Sequence, residues 1–201
     1  MKLYHHPFSN FSRRVRMQLL EKNVTIEEHL VKLEAREHKS EAFLKLNPYG
    51  RVPVLDDDGF VLYESSAITE YLEHVYPTPS LLPQDPKLRA LVSMHVKLCD
   101  LEVGTQAPTL IFPRRFFPRE RWNLPEQEHA RQRIHAHLAI VSQQLGDREF
   151  LVGDQFTLAD IAYCLITPFI SLLELEPAAN VAAWFARLEA RPSAKATFPA
   201  R

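Results

Sequence analysis

A proline-rich segment, Tyr76-Pro77-Thr78-Pro79-Ser80-Leu81-Leu82-Pro83, divides the 201-residue chain into two parts with different hydrophobic patterns. Proline removes a backbone donor and disfavours helix in the residue before it, so no regular element is expected to cross this segment. Beyond it only helical periodicity occurs, for example in residues 88–99 and 134–145. The sequence therefore predicts a first domain at 1–77, a linker at 78–86 and an all-α second domain at 87–201.

Before the linker, the spacing of the apolar residues alternates between the periods of strands and helices. Residues 2–4 predict a first strand, and the polar turn at 9–12 leads into a helix. Val24, Ile26 and Leu30 alternate with polar residues, which predicts a second strand. The chain thus begins with a strand, a helix and a further strand.

The rest of the first part predicts a helix, a hairpin and a last helix. Ser40 is a helix start, and residues 52–55 and 60–63 flank an acidic Asp-Asp-Asp-Gly turn. Ser65 is predicted to cap the helix that follows. The complete order, β-α-β-α-β-β-α, is that of a thioredoxin-like α/β domain, followed by the all-α domain.

In the second domain, Thr157-Leu158-Ala159-Asp160 has the pattern of a capping box. Phe156 and Ile161 have the spacing of a hydrophobic staple around it. A buried helix is predicted from Ile161 to about Leu175, and its role is folding.

Composition and charge exclude several classes of function. The net charge of −1 and the pI near 6.8 give no electrostatic reason to expect nucleic acid. The arginine run at 114–121 is the local exception, and is either a solvated surface or a site for an anion. There is no apolar run of membrane-spanning length and no secretory start, so a cytoplasmic protein is expected. Cys99 and Cys164 are predicted to be buried thiols, and the histidine spacings predict no metal site.

The first of three chemically suggestive segments is Ser9-Asn10-Phe11-Ser12, between the first strand and the first helix. Helix starts favour negative charge, because free N–H groups and the helix dipole point outward there. A serine hydroxyl at this place could donate to a ligand thiolate and lower the thiol pKa. The alternative is that the serine is simply an N-cap.

The second segment, residues 47–55, has a turn that leads directly into a strand whose second residue is Pro53. A proline belongs at the start or edge of a strand, and a cis bond before it would leave the preceding backbone free for a ligand. Val52 would then pair its N–H and C=O with an extended peptide. The alternative is an ordinary tight turn.

The third segment places Glu64 and Ser65 at another helix start. There, an α-carboxylate can meet Ser65 and the helix dipole, while an ammonium group meets Glu64. Taken together, the three segments predict a receptor for a short zwitterionic peptide that carries a thiol.

This combination resembles the glutathione S-transferase superfamily over nearly the whole chain. The Ser9 segment is similar to the serine-type active site of the zeta, tau and theta classes, as in a bacterial member. The resemblance implies that Ser9 activates the thiol, with Ser12 and Asn10 as alternatives. It also implies that Val52, followed by Pro53, holds the cysteinyl backbone of glutathione.

The resemblance assigns the two ends of glutathione as well. It implies that Glu64 and Ser65 hold the γ-glutamyl end and that His38 lies near the glycyl carboxylate, with Lys39 as the competing candidate. Arg51 stands where many relatives have Gln or Lys. The electrophile would contact a pocket in the cleft between the domains, formed by a set of aromatic residues: Phe8, Phe11, Phe112, Phe116 and Tyr163.

The implied activity is that of a glutathione transferase, with glutathione as cosubstrate, a small hydrophobic electrophile, no metal and a homodimeric assembly. A zeta-like isomerase that uses glutathione is a variant of this activity. The alternative is an adaptor similar to stringent starvation protein A, which binds RNA polymerase without catalysis. Residues 47–50 and 76–83 resemble that branch, whereas the complete ligand-binding segments favour the enzyme.

Overall fold

The computed structural model describes residues 1–198. These residues form two compact units, one made of Met1–Ser80 with the chain from Pro192 onward, and the other made of Leu81–Arg191. The predicted domain boundaries had placed everything after the linker in a single helical domain. The last helix instead packs with the first unit, as described below.

The first unit contains one mixed sheet of four strands. The strands are β1 (Lys2–His5), β2 (Glu27–Leu30), β3 (Val54–Asp57) and β4 (Phe60–Tyr63). Their order across the sheet is β2-β1-β3-β4, in which β1 is parallel to β2 and antiparallel to β3. The predicted hairpin is present as the antiparallel pair of β3 and β4. The second strand begins later than the alternation of Val24 and Ile26 predicted, because these two side chains pack against the core from the loop before it.

Helices cover both faces of this sheet. The helices of the first unit are α1 (Asn10–Glu21), α2 (Glu41–Leu46) and α3 (Ser65–Val75). Val15 of α1 and Ile68 of α3 join Leu3 and Leu55 of the sheet in one buried cluster. Phe43 of α2 packs in a second cluster with Val31 and Val54. Burial of apolar surface on both faces accounts for the stability of this layered arrangement. The predicted thioredoxin-like architecture is confirmed.

The helices of the second unit follow in chain order and are α4 (Pro86–Leu98), α5 (Ala107–Phe116), α6 (Leu124–Leu145), α7 (Leu158–Cys164) and α8 (Ala179–Ala190). The predicted capping box is present at the start of α7. The Thr157 side chain accepts from the backbone N–H of Asp160, and the Asp160 side chain accepts from the backbone N–H of Thr157. The helix is shorter than predicted, however. Pro168 has no N–H to donate to the Cys164 carbonyl, and the Thr167 hydroxyl donates to that carbonyl instead. Cys99 and Cys164 are both buried and neither forms a disulfide, as predicted.

The last helix, α9 (Pro192–Thr197), packs against α1. The guanidinium of Arg13, which is 1% exposed, donates to the Thr197 carbonyl over 3.0 Å and lies over the Phe198 ring. None of the helices in residues 1–198 combines the length and apolar character that a membrane-spanning segment needs.

Candidate functional site

Ser9 is the N-cap of α1, and its hydroxyl makes two contacts. Its oxygen accepts a hydrogen bond from the Ser12 N–H over 3.2 Å. The same Oγ lies 3.4 Å from the Val52 carbonyl oxygen, to which it can donate, although the two residues are 43 positions apart. The first and second chemically suggestive segments therefore meet at the start of α1, where the helix dipole favours a negative charge.

The two alternatives to Ser9 have other roles in the structure. Ser12 is completely buried, and its hydroxyl oxygen accepts from the His6 N–H. The Asn10 side-chain oxygen accepts from the Arg13 guanidinium over 3.2 Å. Ser9 and Asn10 are both half-buried, so burial disfavours only Ser12, and Asn10 differs from Ser9 in that its oxygen accepts from Arg13.

The turn before Val52 is held by a buried asparagine. The Asn47 amide donates to the Arg51 carbonyl over 2.8 Å, and its oxygen accepts from the Tyr49 N–H over 3.0 Å. The Val52–Pro53 bond is cis. Within the part of the chain that the structure describes, the Val52 N–H has no hydrogen-bond partner. An unpaired backbone donor just before a strand is the kind of backbone to which an extended peptide can add.

His38 and Lys39 approach this turn closely because Gly50 has no side chain. Gly50 has a φ of +59°, and a β-carbon there would lie 2.6 Å from the His38 carbonyl oxygen. The Lys39 ammonium donates to the Tyr49 carbonyl over 3.1 Å, and the buried Nδ1 of His38 has no partner. Burial of the ring, and then the charges of Lys39 and Arg36, lower the pKa of His38. Its neutral ring and the Lys39 cation are suited to a carboxylate.

Glu64 and Ser65 lie at the start of α3, but Ser65 does not cap the helix as predicted. Glu64 occupies the N-cap position and has a φ of 72°, which is rare for a residue with a side chain. Such strain is typical of positions that present a group to a ligand. Ser65 is the first helical residue, and its hydroxyl oxygen accepts from the Arg14 guanidinium over 3.1 Å. Arg51 and Glu64 are both exposed.

The predicted apolar residues divide into exposed and buried groups. Phe8 and Phe11 flank Ser9 in sequence and are 55% and 39% exposed. Phe112 and Phe116 are one turn apart on α5, exposed, with ring centroids 6.1 Å apart. The structure contradicts the prediction that Tyr163 lines a pocket. This residue is completely buried in the core of the second unit, so no surface remains for a ligand.

The arginine run at 114–121 is not a uniform basic surface. Arg114 forms an ion pair with Glu174 over 3.0 Å, donates to Gln127 and lies over the Trp122 ring. Its charge is therefore used inside the second unit, whereas Arg119 and Arg121 are exposed. Among residues 1–198, no group of three or more His, Cys, Asp or Glu side chains is arranged to hold a metal ion.

Sequence reasoning missed the roles of Arg14, Asn47 and Gly50. The sequence predicts no role for Arg14, although its guanidinium contacts a candidate binding residue, Ser65. Asn47 and Gly50 had a usable signal, because Asn-Pro-x-Gly is typical of a turn closed by the asparagine side chain. For Arg14 the sequence holds no such local signal.

Fold and geometry together define a protein of thioredoxin-like and helical units whose first unit has an unpaired backbone N–H at Val52, close to the start of α1. The model for the glutathione S-transferase N-terminal domain matches residues 3–80, and the model for the C-terminal domain of the same family matches residues 110–192. Glutathione S-transferase F7 of Arabidopsis thaliana is 33% identical over 208 residues, covering 97% of both chains. The chain belongs to the glutathione S-transferase family.

Solved structures agree with this assignment. Glutathione transferase F2 from Populus trichocarpa is 29% identical with a TM-score of 0.86, over 98% of this chain and 96% of that one. Glutathione transferase URE2P8 from Phanerochaete chrysosporium, solved with oxidized glutathione, is 25% identical with a TM-score of 0.85, over 98% and 92%. These matches favour the transferase over the RNA polymerase adaptor. The zeta, tau or theta assignment stays a prediction.

Proposed function

We propose that the protein is a glutathione S-transferase in which Ser9 stabilises the glutathione thiolate for attack on a small electrophile. The observation that carries this proposal is the approach of the Ser9 hydroxyl to the Val52 carbonyl. It places a hydroxyl donor beside the Val52 backbone, with which a cysteinyl residue can pair. A thiol held there is next to both the hydroxyl and the start of α1.

The chemistry follows from the contacts of Ser9. Its oxygen is already bonded to the Ser12 N–H, which fixes the side chain and leaves the hydroxyl hydrogen free to turn. The contact of this hydrogen with Val52 is long, so a bound thiolate is a better acceptor. Donation to sulfur, together with the helix dipole, lowers the thiol pKa from a free value near 8.5. The thiolate then forms a C–S bond while the leaving group departs with its electron pair.

We assign the two ends of glutathione to residues that precede and follow Val52 in the sequence. The Glu64 carboxylate pairs with the γ-glutamyl ammonium, and Ser65 with the start of α3 receives the α-carboxylate. Neutral His38 and cationic Lys39 receive the glycyl carboxylate, and Arg51 lies exposed between these positions in sequence. The unpaired Nδ1 of His38 and the unpaired N–H of Val52 support this assignment.

For the electrophile, we retain the exposed aromatic residues Phe8, Phe11, Phe112 and Phe116. Exposed aromatic rings bind apolar electrophiles by burial of their surface. We further propose a cytoplasmic homodimer, as the resemblance implies. The exposed rings of Tyr49 and Phe60, at 62% and 54% exposure, support an interface in the first unit. Light scattering of the purified protein measures the assembly.

The proposal is tested with Ser9→Ala and a matched control, Ser93→Ala, whose serine is exposed on α4. Wild type and both variants are passed over glutathione-agarose and assayed with a general aryl halide electrophile. We expect Ser9→Ala to remain bound but to lose about 10²- to 10³-fold in kcat/KM, as when one charge-stabilising donor is removed. Ser93→Ala should match wild type. Failure of wild type to bind glutathione at millimolar concentration would refute the proposed function.

A further inference from the structure

Ser9 lies at the end of a tight turn that the chain uses twice in the first unit. In His6-Pro7-Phe8-Ser9, the Ser9 N–H donates to the His6 carbonyl over 3.0 Å. This is a β-turn with proline at its second position, where the fixed φ of proline is favourable. The Phe8 N–H donates to Nδ1 of the His6 ring over 3.2 Å, which closes the turn a second time.

The second copy is Asn47-Pro48-Tyr49-Gly50. There the Gly50 N–H donates to the Asn47 carbonyl over 2.8 Å, and the Tyr49 N–H donates to the Asn47 side-chain oxygen over 3.0 Å. Both turns therefore have a side-chain acceptor at the first position, proline at the second and an aromatic residue at the third. Asparagine is the usual residue for this bond, because its oxygen reaches the N–H two residues later. In the first copy a histidine nitrogen takes the place of that oxygen.

We propose that His6 is a positioning residue for Ser9, with its imidazole acting as the asparagine-like acceptor of this turn. The inference rests on the proposed function, because it concerns how Ser9 is aimed. His6 makes three hydrogen bonds with the loop, namely N–H to the Ser12 hydroxyl, carbonyl to the Ser9 N–H and ring to the Phe8 N–H, and its ring centroid also lies 5.6 Å from that of Phe8. The first two belong to the backbone and survive any substitution. The ring contact is therefore the part that depends on the histidine.

The ring contact matters because the same turn sets the direction of the Ser9 side chain. Ser9 follows Phe8 directly, and its hydroxyl must meet both the Ser12 N–H and the Val52 carbonyl. Without the ring acceptor, the Phe8 N–H loses this hydrogen bond, so the Pro7–Phe8 peptide unit inside the turn is less restrained and the turn is held mainly by the bond from the Ser9 N–H to the His6 carbonyl. A displacement of the donor by a fraction of an ångström is enough to weaken transition-state stabilisation.

The hydrogen bond from the Phe8 N–H also requires a particular tautomer of the His6 ring. Nδ1 accepts a hydrogen bond only in the neutral imidazole that has its hydrogen on Nε2. An asparagine oxygen, one bond beyond Cγ, occupies nearly the same place as Nδ1. A glutamine oxygen is one bond further away and corresponds to Nε2. The pair His6→Asn and His6→Gln therefore separates the position of the acceptor from polarity.

The experiment compares His6→Asn, His6→Gln and wild type, with His74→Gln as the control because His74 is an exposed histidine of the same unit. Three quantities are measured: kcat with a general electrophile, affinity for glutathione, and the pKa of the bound thiol from thiolate absorbance. We expect His6→Gln to lower kcat about fivefold to tenfold and to raise the thiol pKa toward its free value. Its affinity for glutathione and its melting temperature should stay near wild type.

His6→Asn should restore kcat to within about threefold of wild type, since it restores the acceptor. Equal impairment of the two variants, or a His6→Gln protein as active as wild type, would overturn the role of His6. A parallel fall in kcat, glutathione affinity and melting temperature would make His6 a purely structural residue, which also overturns it. If wild type itself gives no thiolate signal with glutathione, the proposed function fails instead.

Discussion

The guanidinium of Arg14 donates to the hydroxyl oxygen of Ser65 over 3.1 Å, and it joins two helices whose contacting residues are 51 positions apart. Both side chains are nearly inaccessible, at 2% and 4% exposure. A hydroxyl that accepts from a cation keeps its own hydrogen for another partner. Arg14 therefore makes Ser65 a donor toward whatever lies at the start of α3, which suits a carboxylate.

Arg14→Gln is expected to weaken glutathione binding about tenfold, because Ser65 is no longer oriented and a buried cation near the carboxylate site is lost. The same change should destabilise the fold by about 2 kcal/mol, the typical loss for a hydrogen bond to a charged group. Titration calorimetry and thermal melting measure the two effects. Arg16→Gln is the control on the same helix, because Arg16 pairs with Glu28 at the surface and should change stability by less than about 1 kcal/mol. Unchanged affinity in Arg14→Gln would contradict this role of Arg14.

Gly50→Ala is expected to weaken glutathione binding more than it affects stability. Its new β-carbon would lie 2.6 Å from the His38 carbonyl oxygen and 2.8 Å from the Lys39 ammonium, so the loop that carries both residues has to move. The matched control is Gly59→Ala in the β3–β4 turn, where φ is +93° but no atom lies within 4 Å. Both variants carry a conformational cost of about 1 kcal/mol. Binding isotherms that fall equally for the two would show that the contact with His38 is unimportant.

Asp160→Asn tests the capping box at the start of α7. The Asp160 carboxylate accepts four hydrogen bonds, from the N–H groups of Leu151 and Thr157, the Thr157 hydroxyl and the Trp184 indole. Burial raises its pKa, although these bonds act in the opposite direction. An amide has only one acceptor oxygen and turns its NH2 toward donors, so we expect a loss of about 3 kcal/mol in denaturant unfolding. Asp154→Asn, at an exposed site, should be neutral, and a comparably stable Asp160→Asn protein would refute the prediction.

The second unit is expected to lose stability in mild acid. The rings of His95 and His137 pack around Tyr163, whose hydroxyl bonds to His137 over 2.8 Å. Burial lowers the pKa of His95 to about 4, helped by the charges of His137 and Arg148, and burial also lowers the pKa of His137. The unfolded chain binds these protons near pH 6.5, so it is favoured increasingly as the pH falls from there toward about 4.

The melting temperature as a function of pH measures this effect. Each histidine contributes at most about 1.4 kcal/mol per pH unit. His95→Phe should make the fall in melting temperature between neutral pH and pH 4 shallower, whereas His135→Gln, at an exposed position of α6, should not. A His95→Phe profile that superimposes on the wild-type profile would exclude His95 as the source.

The features that the sequence predicted well are those that short-range chemistry specifies. The acidic Asp-Asp-Asp-Gly turn between two apolar runs determines the hairpin, and the Thr157 and Asp160 pair determines the start of α7. The spacing of the apolar residues, which alternates in a strand and recurs every three or four residues in a helix, is enough to predict β1 and α1. The meeting of Ser9 with Val52 follows once the order of elements is thioredoxin-like, because β1 and β3 are neighbours in the sheet.

The remaining features depend on contacts between residues far apart in sequence. No residue near Ser65 in sequence indicates that its hydroxyl accepts a hydrogen bond from Arg14. A capping role was therefore expected for Ser65. Tyr163 has a polar end that suits a pocket, but His137 from another helix satisfies that end in the core. Similarly, the basic run around Arg114 gives no sign in the sequence that this side chain pairs with Glu174 and lies over the Trp122 ring.

The packing of α9 on α1 makes the chain topologically nested, since the whole helical unit is inserted between the two pieces of the first one. Arg13 of α1 can therefore donate to the Thr197 carbonyl only when the segment after the helical unit is in place. A fragment that stops after the proline-rich segment would leave the Arg13 charge without that acceptor. The helix that Ser9 caps thus has all of its contacts only when both pieces of the first unit are present.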